Sequence, residues 1–382
     1  MTGHDDVIQF IRELYDTDDF IPLHAPSLDD HDKKYVNEAI DSTFVSSVGQ
    51  FVDRFEKEFA EYTGAKYAVA VVNGTAALHI SLILAGVQQN DEVITQPLTF
   101  VATCNAISYC GADPVFIDVD PINMGLCPAA LKSFLETQTL QKNNLCINKT
   151  TSKVIRACVP MHTFGFPVRI EEIARICQEH NISLVEDAAE SLGSYRNGKH
   201  TGTFGKLAAF SFNGNKIMTT GGGGMIVTDE EELAIRTKHL TTTAKLPHKW
   251  EFNHDQIAFN YRMPNLNAAL GCSQLEKLPE LLHKKRALAK NYKEYFSQVE
   301  GVEYRDEQID SKANFWLNAI LLKSANDRDE FLEKANNSKV MSRPCWTLMS
   351  MLPMFKHNQR VDELVNAQRI SEKLVNIPSS PI

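Results

Sequence analysis

Hydrophobic and polar positions change their period along the chain. From about residue 50 to residue 230, stretches with apolar residues three or four apart alternate with short β-branched runs. The wider spacing predicts helices over 51–62, 76–85, 170–180 and 230–240, because residues three and four apart share one helical face. The short runs at 67–72, 92–95, 114–118, 154–159, 183–186, 208–212 and 225–228 predict strands. Such alternation predicts an α/β architecture, a mostly parallel central sheet with helices on both faces. Ligands of these sheets gather beyond the carboxyl ends of the strands, so the pattern alone says where a site should lie.

After about residue 245 the pattern changes. Leu275, Leu278, Leu282, Leu288, Tyr292, Tyr295 and Val299 keep a three-or-four spacing with charged residues between them, which predicts a long helix burying one stripe. Strand-like stretches at 316–322 and 340–343 and a helix at 361–374 complete a smaller C-terminal α+β domain. At 382 residues the chain exceeds what one core usually holds. It divides into an N-terminal arm (1–30), a large domain (31–245) and a small C-terminal domain (246–382).

Composition narrows the function. A formal net charge of −9 argues against a general polyanion binder, so no nucleic-acid function is expected. A single anionic ligand stays open, since a few amides and cations hold one. No apolar run approaches the length of a membrane span, and the acidic start (MTGHDDVIQFIRELYDTDD) lacks the basic segment of a signal peptide. The eight cysteines are scattered, without CxxC or metal-ligand spacing. They read as buried thiols in a reducing compartment, so a cytoplasmic location, no membrane partner and no metal are expected.

Four segments carry candidate chemistry. The strand 208–212 breaks into a polar loop ending at Lys216, and the glycine run Gly221 to Gly224 follows. Alone, the lysine reads as an exposed loop residue and the glycines as a flexible turn. The strand 183–186 ends in Asp187, which can reach the same sheet rim as Lys216. A plain surface ion pair is one reading of that proximity. The other is a pyridoxal-phosphate site, where a lysine binds the aldehyde and an aspartate keeps the ring nitrogen protonated. The third segment, 71–78, turns from strand to helix through Asn73, Gly74, Thr75 and Ala76. Its free amides suit a phosphate, while an ordinary N-cap by Thr75 explains the same residues. Just beyond the strand 92–95, Phe100 can stack on a planar ring or belong to the core.

In their order along the chain these elements resemble the DegT/DnrJ/EryC1/StrS sugar aminotransferases, pyridoxal-phosphate enzymes of fold type I. The match runs from Pro26 and 46–49 through 73–77, 99–103, 186–189 and 211–216 to 260–262. The resemblance implies that Lys216 is the cofactor lysine and the base that moves the substrate's proton. It makes Asp187 the partner of the pyridine nitrogen and Phe100 the stacking ring. Gly74, Thr75, Ala76 and Ser211 would hold the phosphate, and Glu190 would sit near the ring hydroxyl, where the family often has Gln or His. Asn260 matches a residue given to the neighbouring subunit's phosphate, which implies a homodimer with composite sites. His162 matches a family histidine near the site, although a structural histidine fits equally.

The segment SFNGNK (211–216) and residues 342–349, with Arg343 as a cation for a diphosphate, resemble the branch acting on UDP-linked N-acetyl amino sugars of bacillosamine and legionaminic acid pathways. The expected reaction is therefore amination at C4 of a UDP-linked 2-acetamido-4-keto-6-deoxy sugar, with glutamate as donor. The alternatives are a dTDP- or GDP-linked 3- or 4-keto-6-deoxy sugar, and a non-catalytic regulatory module on the same fold. Retention of both Lys216 and Asp187 counts against the last.

Overall fold

The alternating segment closes into one nine-stranded sheet in the computed structural model, which describes residues 3–382. Its strands are β1 (Tyr67–Val71), β2 (Glu92–Thr95), β3 (Asp113–Phe116), β4 (Thr139–Lys142), β5 (Leu145–Asn148), β6 (Val154–Val159) and β7 (Ser183–Asp187). The short hairpin β8 (Tyr195–Arg196) and β9 (Lys199–His200) leaves the sheet before β10 (Leu207–Ser211) and β11 (Gly224–Thr228) return to it. The order along the main path is β1-β11-β10-β7-β6-β2-β3. Pairings from β10 through β7, β6 and β2 to β3 are all parallel, whereas β11 runs antiparallel to both of its neighbours. The β4–β5 hairpin, which the apolar pattern did not announce, adds an antiparallel edge to β6.

Alternation along β10 assigns its side chains to two layers. Ala208, Phe210 and Phe212 point to one face, where they meet the helices α2 (Asp30–Asp41) and α3 (Gln50–Thr63), which follow α1 (His4–Tyr15). Phe55 and Phe59, one turn apart on α3, pack against Phe210 and Phe212 with ring centroids 5.1 to 5.4 Å apart. Leu207 and Ala209 point the other way, into the apolar layer under α4 (Gly74–Leu84), α5 (Val101–Tyr109) and, further on, α8 (Glu231–Thr241). The helices α6 (Pro128–Gln138) and α7 (Ile170–Glu179) bury Leu131, Phe134, Ile173 and Ile176 on the strands between.

The long helix α9 (Asn265–Phe296) begins ten residues before the leucine stripe that foretold it. Before that stripe its buried face is made largely of small residues, Ala268, Ala269, Gly271, Cys272 and Ser273. Gly271 lets α3 approach so closely that a Cβ there would lie 2.9 Å from the Phe55 ring. Asn265 ties the helix start to the first turn of α3, accepting from the Phe51 amide (3.1 Å), and to the chain before it, donating to the Phe44 carbonyl (2.6 Å). From Leu288 on, α9 buries the opposite end of its stripe in the small domain.

That domain is an antiparallel sheet of β12 (Glu303–Tyr304), β14 (Asn318–Leu321), β15 (Arg343–Pro344) and β16 (Leu374–Ile377); β13 (Ser311–Lys312) pairs instead with β8. The helices α10 (Ala325–Asn337) and α11 (Val365–Lys373) belong to it. The N-terminal arm is not free: α1 buries Val7, Ile8 and Ile11 against Leu288, Tyr292 and Phe331. No helix among the described residues is long and apolar enough to cross a membrane.

The aromatic cluster of α3 and β10 gives a direct test of this packing. Phe55→Ala should cost about 3–5 kcal/mol, read as a lower denaturant midpoint with an unchanged slope. An unchanged midpoint would show that the ring carries little of the large-domain core.

Candidate active site

β11 reverses between β1 and β10, so β1, β2, β6, β7 and β10 all end at one edge of the sheet. At that edge the chain leaves each strand through a polar or glycine-bearing turn. These turns enclose a cavity of about 330 Å³ whose wall includes Gly74, Thr75, Phe100, Asp187, Glu190, Ser211 and Lys216. Seven positions drawn from four separate segments thus converge where the strand pattern located a ligand.

One end of the cavity is a tight anion cradle. Alternation places Ser211 and Gly224 on the α4 face of the sheet, directly under the first turn of that helix. A Cβ at Gly74 would lie 2.8 Å from the Ser211 Cβ, and one at Gly224 would lie 2.6 Å from the Asn73 carbonyl carbon. Neither position admits a larger residue without moving backbone. The helix is capped by Asn73, whose Oδ1 accepts the Ala76 amide at 2.8 Å, and not by Thr75. That hydrogen bond removes Ala76 from the expected phosphate set. The amides of Gly74 and Thr75 remain at the helix start, beside the hydroxyls of Thr75 and Ser211, where the dipole also favours negative charge.

The other side carries the titratable groups. Asp187 is buried; its Oδ2 accepts from Thr103 Oγ1 at 2.7 Å and its Oδ1 from the Ala189 amide at 3.2 Å. Burial pushes this carboxyl above its ordinary value, with Thr103 and the charge on Lys216 acting against that rise. Glu190 is also buried, with Oε1 3.1 Å from Lys216 Nζ and Oε2 2.9 Å from the Phe164 amide. Burial raises its carboxyl to about 7, opposed mainly by the charge on Lys216.

Lys216 is gripped from a second side by a residue that the strand pattern did not single out. Its Nζ lies 3.7 Å from the centroid of the Trp316 ring, a cation–π contact. The Trp316 indole N–H donates to the carbonyl of Asn215, the residue before the lysine, at 2.6 Å. Several contacts aim that ring. Phe315 sits in the left-handed region (φ 50°), strained for an aromatic residue. Asn314 accepts the Trp316 amide at 2.8 Å and donates to the Glu190 and Leu192 carbonyls. The wholly buried Lys285 donates to the Trp316 carbonyl at 2.8 Å and also to that of Ser379, and burial holds its amine well below the ordinary lysine value.

Besides Ala76, three predicted site residues are not gathered into this cavity. His162 has no exposure, and both ring nitrogens face protein: Nδ1 accepts from the Val168 amide (3.2 Å) and Nε2 meets Glu186 Oε2 (3.1 Å). Glu186 also takes the amides of Gly202, Phe204 and Gly205, so this pair braces the turn behind Asp187. Arg343 is exposed on the edge strand β15, with Nη1 2.9 Å from both Asn336 Oδ1 and the Ser342 carbonyl. Asn260 is exposed outside the cavity of its own chain and accepts from Arg262 Nε at 3.2 Å. Conversely, Trp316, Trp346, Asn213 and Asn215 do line the wall. Only the SFNGNK segment and the Arg343 to Met349 segment had drawn attention to any of them.

Comparison with known proteins identifies the family and the fold. The model of the DegT/DnrJ/EryC1/StrS aminotransferase family matches residues 26–382. The GDP-perosamine synthase of Escherichia coli O157:H7 is 35% identical over 362 residues, 95% of this chain and 94% of that protein. The putative pyridoxal phosphate-dependent aminotransferase EpsN of Bacillus subtilis (strain 168) is 35% identical over 335 residues, 88% of this chain and 84% of that protein. Among solved structures, the aminotransferase TlmJ from Streptoalloteichus hindustanus superposes with a TM-score of 0.85 at 27% identity, covering 94% of this chain and 93% of that one.

The cavity fits a pyridoxal phosphate on its own terms. The cradle is closed to any Cβ yet rich in N–H and O–H donors, and a buried carboxyl stands across from a lysine in the same wall. The half-exposed ring of Phe100 lies between them in the sequence of turns.

Glu190 supplies a test on the cofactor-free protein. Its folded value, about 7, lies above the ordinary 4.5, so the folded chain favours the protonated carboxyl. The stability this contributes is complete below pH 4.5 and is lost as pH rises through about 7. Between those limits the melting temperature of the wild type should fall relative to Glu190→Gln as pH rises. Parallel curves for the two proteins would remove Glu190 as a buried titrating group.

Proposed function

We propose a substrate for this chain from the premise that it belongs to the DegT/DnrJ/EryC1/StrS aminotransferase family. It is a pyridoxal-phosphate-dependent sugar aminotransferase. In our reading it transfers an amino group, from glutamate, to a 4-keto-6-deoxy sugar carried by GDP. The chemistry rests on one observation above all, the presence of Lys216, Asp187 and the glycine cradle in a single cavity wall. The nucleotide rests on the likeness to GDP-perosamine synthase over 95% of the chain. That likeness favours GDP over the UDP carrier suggested by SFNGNK and residues 342–349, and Arg343 is committed elsewhere. A UDP-linked 2-acetamido sugar is the second reading, favoured by the amides of Asn213 and Asn215 in the wall, which suit an acetamido group.

Each residue then has a physical task. The amides of Gly74 and Thr75, with the hydroxyls of Thr75 and Ser211, hold the phosphate by short charge-assisted hydrogen bonds. Phe100 covers a ring face. Asp187, kept in place by Thr103 and Ala189, gives the ring nitrogen an anionic partner; a cation beside it favours the ionised carboxylate. Bound there, pyridoxal phosphate supplies a carbonyl that accepts and returns the amino group and a ring that takes up electrons. The Lys216 amine would take the proton from the donor's nitrogen-bearing carbon and pass it to the cofactor side, and would move a proton in the opposite sense, onto the sugar carbon, when the sugar is aminated. Glu190 and Trp316 keep that amine from wandering to solvent. The proposal includes a second copy of the chain, with the exposed Asn260 reaching the partner's phosphate.

Lys216→Ala should lose turnover by about a thousandfold or more together with the visible absorbance of bound cofactor, with circular dichroism unchanged. Retained absorbance and turnover would mean that another lysine serves. Asp187→Asn should still bind the cofactor while kcat falls by about a hundredfold; a near wild-type kcat would remove Asp187 from the ring nitrogen. Assayed with GDP-, UDP- and dTDP-linked 4-keto-6-deoxy sugars, the wild type should give its highest kcat/KM with GDP. A preference for the UDP-acetamido sugar would restore the second reading.

A further inference from the structure

The indole of Trp346 has no part in the roles assigned above, and the paired side-chain amides of Asn213 and Asn215 have one only in the second reading. Trp346 leans on Phe164 (centroids 4.9 Å, tilted 42°) and on Phe100 (6.0 Å, tilted 60°), which fix its orientation. It is only half-buried, so the rest of the ring stays open. Trp316 differs, because its N–H is committed to Asn215 and its face to Lys216. Asn213 Nδ2 donates to Asn215 Oδ1 at 3.1 Å, and both side chains are exposed. Each of them keeps its second amide group free, which sets an acceptor and a donor side by side.

An apolar aromatic plate beside an adjacent donor and acceptor suits a hexose, whose C–H face is apolar and whose rim carries hydroxyls. A diphosphate would need cations here, and the lysine in this wall already faces Glu190. Position separates the sugar from the base. Trp346 touches Phe164, the Phe164 amide binds Glu190, and Glu190 meets Lys216. The carbon to be aminated must lie at Lys216, so the group within reach of Trp346 is the one bearing that carbon. We propose that Trp346 and the Asn213–Asn215 pair form the subsite for the hexose ring of the nucleotide-sugar, with Trp346 as its platform and the amides reading its substituents. This rests on the nucleotide-sugar reading above and adds the residues that recognise the sugar.

The test is equilibrium binding to the cofactor-loaded enzyme by calorimetry, with GDP, GDP-mannose, UDP and UDP-N-acetylglucosamine as probes. In Trp346→Leu, the affinity for the preferred nucleotide-sugar should fall about tenfold or more, while that for the matching free nucleotide stays within about twofold. Trp346→Phe, which keeps a flat ring, should recover most of the loss. Asn213→Ala should weaken the same nucleotide-sugar by about threefold to tenfold and leave the free nucleotide alone. Equal losses for nucleotide and nucleotide-sugar would place Trp346 against the base and overturn the subsite, as would no loss in any variant. A wild-type enzyme that binds free nucleotide but gains nothing from either sugar also overturns it. Failure to bind any of the four probes would sink the substrate reading itself, and the subsite with it.

Discussion

The site is positioned by the parallel pairing of β7 with β10, in register from Leu207 against Val185 to Ala209 against Asp187. Because side chains alternate along a strand, this register leaves Phe210 and Phe212 in the core and turns Ser211 toward α4. A slip of one residue would bury Ser211 among the phenylalanines of α3 and turn Phe212 into the phosphate cradle. It would also carry Lys216 away from Glu190. The aromatic cluster around Phe55 and Phe59 is therefore more than packing. It fixes which face of β10 is polar, and through that the chemistry at the strand's end.

The second domain takes part through very few residues. Trp316 holds Lys216 by its ring and the preceding peptide by its N–H, while Asn314 holds the carbonyls around Glu190. The strained Phe315 and the buried Lys285 stand immediately behind it. A left-handed phenylalanine and a desolvated lysine are each unfavourable alone. Their presence next to one aromatic ring is where a stability cost is tolerated for function.

Much of this was legible in the sequence, and the failures have physical reasons. Strand periodicity found the edge where the cavity lies, and the turn residues at Asp187 and Lys216 stood out because polar groups follow apolar runs there. The start of α9 was missed because helix–helix contact at Gly271 uses small residues, which leave no leucine stripe. Thr75 looked like a cap, yet Asn73 reaches the Ala76 amide, and propensity alone does not choose between two good cap residues two positions apart. Arg343 was read as a ligand by its charge, but charge in a strand-like stretch says nothing about which side of an edge strand it takes. Trp316 was invisible for the opposite reason. Its role depends on contacts a hundred residues away, with Asn215 and Lys216.

The two glycines of the cradle have a consequence for how such an enzyme can diversify. At Gly74 and Gly224 backbone and strand are in contact, so these positions accept one residue type and hold the shape of the anion cradle constant. Trp346, Asn213 and Asn215 project from loops, where one side chain can be exchanged for another without moving backbone. The cavity is thus divided into a part that mutation cannot easily visit and a part open to drift. If the proposed subsite holds, new sugars can be acquired one loop substitution at a time while the amine-transfer apparatus is inherited whole.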